Sequence, residues 1–138
     1  MSGADFLDTN ILVYAYDSRF PAKQAIAQGL LRKAILGDSV TSSQVLGEFA
    51  TTLLHKFSPA ATFTQLIEIL DALSPIKSIS IDSETVRRAV ETNEKYNLHF
   101  YDALIVATAE RAGCRQILTE DLNPGQKYFG VLAVNPFS

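Results

Sequence analysis

The sequence predicts an α/β fold, a three-layer open parallel sheet with helices on both faces. Short apolar runs alternate along it with longer stretches of helical spacing, and capping residues or helix breakers stand between them. With 138 residues, 47% hydrophobic and 20% charged, the composition is that of an ordinary globular domain. Residues 1–138 are expected to form one domain, and a chain of that length buries roughly two thirds of its unfolded surface.

Phe6 to Asp8 reads as the end of a short buried strand, and Ile11 to Asp17 has helical spacing. Pro21 suits the first turn of a second helix, in which Ile26, Leu30, Leu31, Ala34 and Ile35 recur at helical intervals up to Leu36. Gly37 is the expected stop. Ser39 to Ser42 is a second strand, and Ser42 or Ser43 can cap a helix running to about Lys56. Ser58-Pro59 breaks the chain. A helix from about Thr62 to Leu73 follows, with Phe63, Leu66, Ile67, Leu70 and Leu73 on one face. After Pro75, Ile76 to Ile81 alternates imperfectly and reads as a strand. Asp82 or Ser83 caps a helix to about Tyr96, Asn97-Leu98-His99 is a loop, and Phe100 to Ala112 is a strongly apolar helix stopped at Gly113. Gln116 to Thr119 is a strand, Asn123-Pro124-Gly125 a turn, and Val131 to Val134 the last strand.

The totals narrow the function classes. A net charge of −3 does not favour a broad polyanion-binding surface. The adjacent basic pairs, Arg32-Lys33 and Arg87-Arg88, are expected on solvated helix faces. Cys114 has no partner for a disulfide and reads as a packing residue, in keeping with a reducing compartment. No basic leader precedes an apolar segment, and no apolar run reaches the roughly 20 residues needed to span a bilayer. The expectation is a cytoplasmic protein with no membrane partner.

Four acids interrupt apolar sequence. Asp8 closes Phe6-Leu7, Glu48 lies within Val45 to Ala50, Asp102 opens Ala103 to Ala107, and Asp121 follows Gln116 to Glu120. A buried carboxylate is costly unless it is paired, neutralised or bound to a metal, and no surplus of cations lies beside these positions. In the predicted fold Asp8 and Asp121 each follow a strand and Glu48 and Asp102 each sit in the early part of a helix, so all four fall at the carboxyl ends of the strands, where open α/β sheets bind ligands. Clustered Asp and Glu provide the oxygen ligands that Mg²⁺ and Mn²⁺ prefer, and such a site can activate water for attack on phosphorus.

The ordered set carries a resemblance. Phe6-Leu7-Asp8-Thr9-Asn10-Ile11-Leu12-Val13-Tyr14 resembles the opening motif of PIN-domain nucleases. Glu48, in a helix after a serine-rich turn, continues the match; Phe100 to Ala109 looks like the third acidic motif and Leu118 to Leu122 like the fourth. This resemblance implies a Mg²⁺-dependent ribonuclease, with Mn²⁺ able to substitute, of the kind found as VapC-like toxins. It implies RNA as substrate, a cognate antitoxin protein as partner, and a homodimer. It makes Asp8, Glu48, Asp102 and Asp121 the catalytic metal ligands, with Asn10 and Thr119 as polar supports. Many relatives carry a further acid where this chain has Asn123; Glu120 is acidic instead, and its side chain is expected to point away from that of Asp121.

Each acid also has a plainer reading. Asp8 could cap a helix, Glu48 could face solvent beside Gln44, Asp102 could complement a helix dipole, and Asp121 could make an Asx turn. Two other functions fit the same fold: a catalytically inactive PIN-like module that binds RNA or protein, and a receiver-like signalling domain, for which Lys77 and Lys127 are poorly placed. Asp17, His55 and His99 are expected in surface or capping roles, with the pocket rim as the alternative for Asp17 and approach to substrate for His99. Tyr14, Tyr16 and Tyr101 are expected in packing, with stacking on bases as the alternative.

Overall fold

The computed structural model describes residues 3–138. Its elements follow the sequence closely: β1 (Asp5–Leu7), α1 (Thr9–Ala15), α2 (Pro21–Leu36), β2 (Val40–Ser42), α3 (Ser43–His55), α4 (Phe63–Leu73), β3 (Lys77–Ile79), α5 (Ser83–Tyr96), α6 (Phe100–Arg111), β4 (Gln116–Leu118), β5 (Lys127–Tyr128) and β6 (Val131–Val134). The caps explain the sharp helix starts. Ser42 accepts from the Val45 amide, Asp82 from the Thr85 amide, and Thr62 forms a reciprocal capping box with Gln65.

The strands lie in the order β3-β2-β1-β4-β6-β5. β1 pairs in parallel with β2 and β4, β2 with β3, and β4 with β6. The sheet is mostly parallel, as expected, and at its edge the two-residue β5 pairs antiparallel with β6. The two are joined by a tight turn in which Phe129 and Gly130 both have positive φ, at 49° and 84°. Right-twisted strands favour such a turn, and Gly130 removes the side chain that would oppose it. The imperfect alternation of Ile76 to Ile81 also has its reason. β3 is an edge strand, short and largely exposed.

The connections place the helices. From β1 the chain moves outward to β2 and β3 through α1–α4; from β3 it returns past β1 to β4 through α5 and α6. Right-handed crossovers running in opposite directions put these two groups on opposite faces. The main core is built around Phe6, Leu7, Ile11, Leu12, Val45, Phe49, Leu53, Val106 and Ile117, all fully or almost fully buried. Ala89, Leu104 and Ala107 form a smaller cluster between α5 and α6. The direction of travel reverses between β1 and β4, so the topological switch point lies where Asp8 and Thr119 leave their strands. Among the described residues no helix is long and apolar enough to cross a membrane.

Candidate functional site

A cleft of about 870 Å³ opens at that switch point, and Asp8, Glu48, Asp102 and Asp121 all line it, as do Asn10, Gln44 and Tyr101. Four segments far apart in sequence supply the acids. Asp8 is the residue between β1 and α1, Glu48 is on α3, Asp102 is in the first turn of α6, and Asp121 follows β4.

A polar web fixes most of them. Asp8 caps α1, its Oδ1 accepting from the Thr9 amide at 2.7 Å, while Oδ2 accepts from the Thr119 hydroxyl at 2.8 Å. Asp8 therefore caps α1 and lines the cleft at once. Asn10 donates to Asp121 Oδ2 at 3.0 Å and to Thr119 Oγ1 at 3.3 Å, and Thr119 Oγ1 also accepts from the Asp121 amide at 3.0 Å. Asn10 and Thr119 thus join β1, α1 and the segment after β4, as polar supports would. Glu48 accepts from the Thr9 hydroxyl at 2.7 Å and from Gln44 at 3.3 Å. Asp102 receives no hydrogen bond from any described residue.

The electrostatics follow from burial without a counter-ion. Asp8 is 5% exposed. Burial first, and then the charges of Asp121 and Glu48, push its carboxyl up to about 6 against the hydrogen bonds from Thr119 and Thr9. Asp102 is also raised, first by burial and then by the charge of Asp121; His99 opposes this and Glu48 adds to it. No described cation forms an ion pair with any of these four acids. Gln44 Oε1, at the same cleft, is buried without a hydrogen-bond partner. An all-oxygen donor set, uncompensated negative charge and an orphaned amide oxygen suit a hard divalent cation. The acids share the cleft but are not drawn tight. Among the described residues no three acidic, histidine or cysteine side chains are grouped so as to enclose an ion.

Several expectations change. Asp17 is not a solvated surface acid. It lines the cleft wall, is covered from solvent, and is gripped by Arg19. Arg88 is not on a solvated face either: it forks onto Glu110 and lies 3.7 Å from the centre of the Phe129 ring. Tyr14 and Tyr101 line the cleft, the latter exposed, whereas Tyr16 packs near Phe49 as expected. Glu120 lines the cleft while turning to partners other than those of Asp121, accepting from Tyr14 at 2.5 Å and Lys23 at 3.0 Å. Asn123 serves a turn, bonding Gln126 and Tyr128. His99 caps α6, His55 sits exposed in the last turn of α3, and Cys114 is buried.

Thr9 and Gln44 were missed as site residues. The signal for Gln44 was its spacing, since residues four apart share a helix face and Glu48 was already singled out. Thr9 stood between two named residues, and nothing in the sequence pointed its hydroxyl at a helix 39 positions away.

Comparison with known proteins fits this geometry. No curated protein is significantly similar to the chain. Solved structures share its fold. A toxin–antitoxin complex from Klebsiella pneumoniae superposes with a TM-score of 0.71 at 23% identity, covering 96% of this chain and 98% of that one. VapBC2 from Rickettsia felis, bound to a promoter DNA fragment, gives 0.62 at 22% identity over 94% and 96%. The Mycobacterium tuberculosis toxin VapC20, described as cleaving the sarcin–ricin loop, gives 0.61 at 18% identity over 86% and 92%. The PIN domain family matches residues 6–129, nearly the whole span from β1 to the last hairpin, and this sets aside the receiver-like reading. With that match and with acids from all four expected motifs around one cleft, the chain belongs to the PIN domain family.

Proposed function

We propose that the chain is a Mg²⁺- or Mn²⁺-dependent ribonuclease that hydrolyses RNA phosphodiester bonds as the toxin of a type II toxin–antitoxin pair. The observation that carries this reading is the cleft itself, which four carboxylates from distant segments line with no described cation paired to them. Asp8, Glu48, Asp102 and Asp121 would hold the cation. When bound, it would supply an acidified water and neutralise charge building on the scissile phosphate.

The chain's own residues set the stage for that chemistry. Thr119 and the Thr9 amide fix the two oxygens of Asp8, Asn10 orients Asp121, and Thr9 and Gln44 hold Glu48. Asp102, raised and without a hydrogen bond from any described residue, is the carboxylate best suited to take a proton from an attacking water. Membership of the PIN family and the toxin folds among its structural neighbours support the toxin assignment, with a cognate antitoxin and a homodimer as partners.

The test is a Mn²⁺ titration of cleavage on total tRNA and rRNA, with Asp102→Asn alongside. Metal-dependent cleavage that vanishes in the variant is expected; equal cleavage by both proteins would sink the reading. One observation favours a second reading, an inactive module that binds RNA or protein. Both Asp8 oxygens are already taken by protein hydrogen bonds, and no three acids enclose an ion-sized space among the described residues. Calorimetric titration with Mn²⁺ separates the two, since the inactive module would give no binding heat.

A further inference from the structure

Arg19 is exposed at 69% while the acid that grips it, Asp17, is only 6% exposed. The grip is a fork: Arg19 Nε donates to Asp17 Oδ1 at 2.9 Å and Nη2 to Oδ2 at 2.8 Å, and the Arg19 amide donates to Oδ1 at 3.1 Å. Both residues line the acidic cleft. A pair serving only packing would cover the guanidinium as well as the carboxylate. Here the carboxylate is covered and the cation faces the cleft, with Nη1 making no hydrogen bond to any described residue. Arg19 also lies 5.4 Å from the centre of the half-exposed Phe20 ring, which restricts it further. An arginine held this way keeps donors directed outward at little further cost in side-chain order, the arrangement suited to a phosphate oxygen.

We propose that Arg19, held by Asp17, binds a backbone phosphate of the RNA substrate, and that Asp17 is its positioning residue. This rests on the ribonuclease reading. It also accounts for how a chain of net charge −3 could hold a polyanion beside four acids: one oriented cation at the cleft takes the place of a basic surface.

The test measures binding of a single-stranded RNA by fluorescence anisotropy across a salt series, with Asp102→Asn as the common background. Arg19→Ala should weaken binding about tenfold and flatten the plot of log affinity against log salt by about 0.7, the share of one phosphate contact on a single strand. Arg19→Lys should keep most of the slope and lose affinity, because the fork is gone. Asp17→Asn should weaken binding in the Arg19 chain and change nothing once Arg19 is Ala, a coupling that a merely structural acid would not produce. Unchanged affinity and slope in Arg19→Ala would overturn the proposal, as would strictly additive losses for Asp17 and Arg19. The exposed position of Arg19 leaves its variants free to fold even if Asp17→Asn is unstable. Parallel Mn²⁺-dependent cleavage by the wild-type chain keeps the two readings apart. Cleavage with an indifferent Arg19 sinks only this inference, whereas an RNA that the wild-type chain never cuts sinks the ribonuclease reading and this one with it.

Discussion

Helix α6 carries an acid at each end, and the two keep opposite company. Glu110, in its last turn, takes a forked pair of hydrogen bonds from Arg88 at 2.8 and 2.9 Å. Asp102, in its first turn, has neither a hydrogen bond nor an ion pair with any described residue. The contrast extends across the molecule. Asp5 meets Arg115, and Asp82 and Glu84 meet Arg111, while Asp8, Glu48, Asp102 and Asp121 meet no described cation. The chain does not lack positive charge; it pairs that charge with other acids. Unbalanced acid at the cleft is therefore a property of position, and a net charge of −3 for the whole chain conceals it.

The largest effect expected from this contrast is on catalysis. Asp102→Asn should lower Mn²⁺-dependent cleavage by about a thousandfold, the upper range for losing one group that stabilises transition-state charge. Glu110→Gln should leave cleavage unchanged and reduce unfolding stability by about 1 kcal/mol, as expected for a partly exposed pair. Initial rates on tRNA and urea midpoints measure the two. Similar losses of activity in both variants would erase the distinction between the ends of α6.

Stability against pH should separate the same two classes of acid. Asp8 titrates at about 6 in the folded chain against an ordinary 3.8. The folded state therefore holds this proton more tightly than the unfolded one. Stability should fall as pH rises from about 4 to about 6, and the deficit should be complete above that, on the order of 3 kcal/mol. Asp17 and Asp82 act in the opposite sense, because their partners hold them below the ordinary value, and their contribution is lost only at lower pH. Urea midpoints of the wild-type chain and Asp8→Asn, measured from pH 4 to 8, isolate the effect. A difference between the two chains that does not vary over this range would mean that burial of Asp8 is not what raises it.

Much of this was legible in the sequence because its cues are local. The caps at Ser42 and Asp82, the first-turn Pro21 and the stops at Pro75 and Gly113 placed the helices to within a residue or two. Alternating strands and helices implied where the strand ends meet, and so brought the four acids to one cleft. What stayed hidden depends on contacts between distant segments. The two-residue strand β5 is too short for any periodicity, and it exists because β6 offers it an edge. Asp17 is the local exception: it looked like a surface acid because Arg19, only two residues on, folds back over it at the cleft wall. Arg88 looked solvated because neither Glu110 nor Phe129 is near it in the chain.

The smallest expected effect falls on the acid next to the site. Glu120 and Asp121 are adjacent and both line the cleft, yet Glu120 is held by Tyr14 and Lys23 while Asp121 answers to Asn10. A carboxylate already satisfied by a phenol and an ammonium is poorly available to a cation, so Glu120 belongs with Glu110 rather than with Asp102. Its tether does join the segment after β4 to α1 and α2, and that segment carries Thr119 and Asp121. Glu120→Gln keeps the shape and loses the charge. It should cost about 0.5 kcal/mol of stability, typical of a surface pair, and slow cleavage no more than a few-fold through looser placement of Asp121. Rates for Glu120→Gln and Asp121→Asn at equal Mn²⁺ test the division. A collapse in Glu120→Gln as deep as that in Asp121→Asn would put Glu120 among the acids that work on the substrate, and the line between paired and unpaired carboxylates would have to be redrawn one residue earlier in the chain.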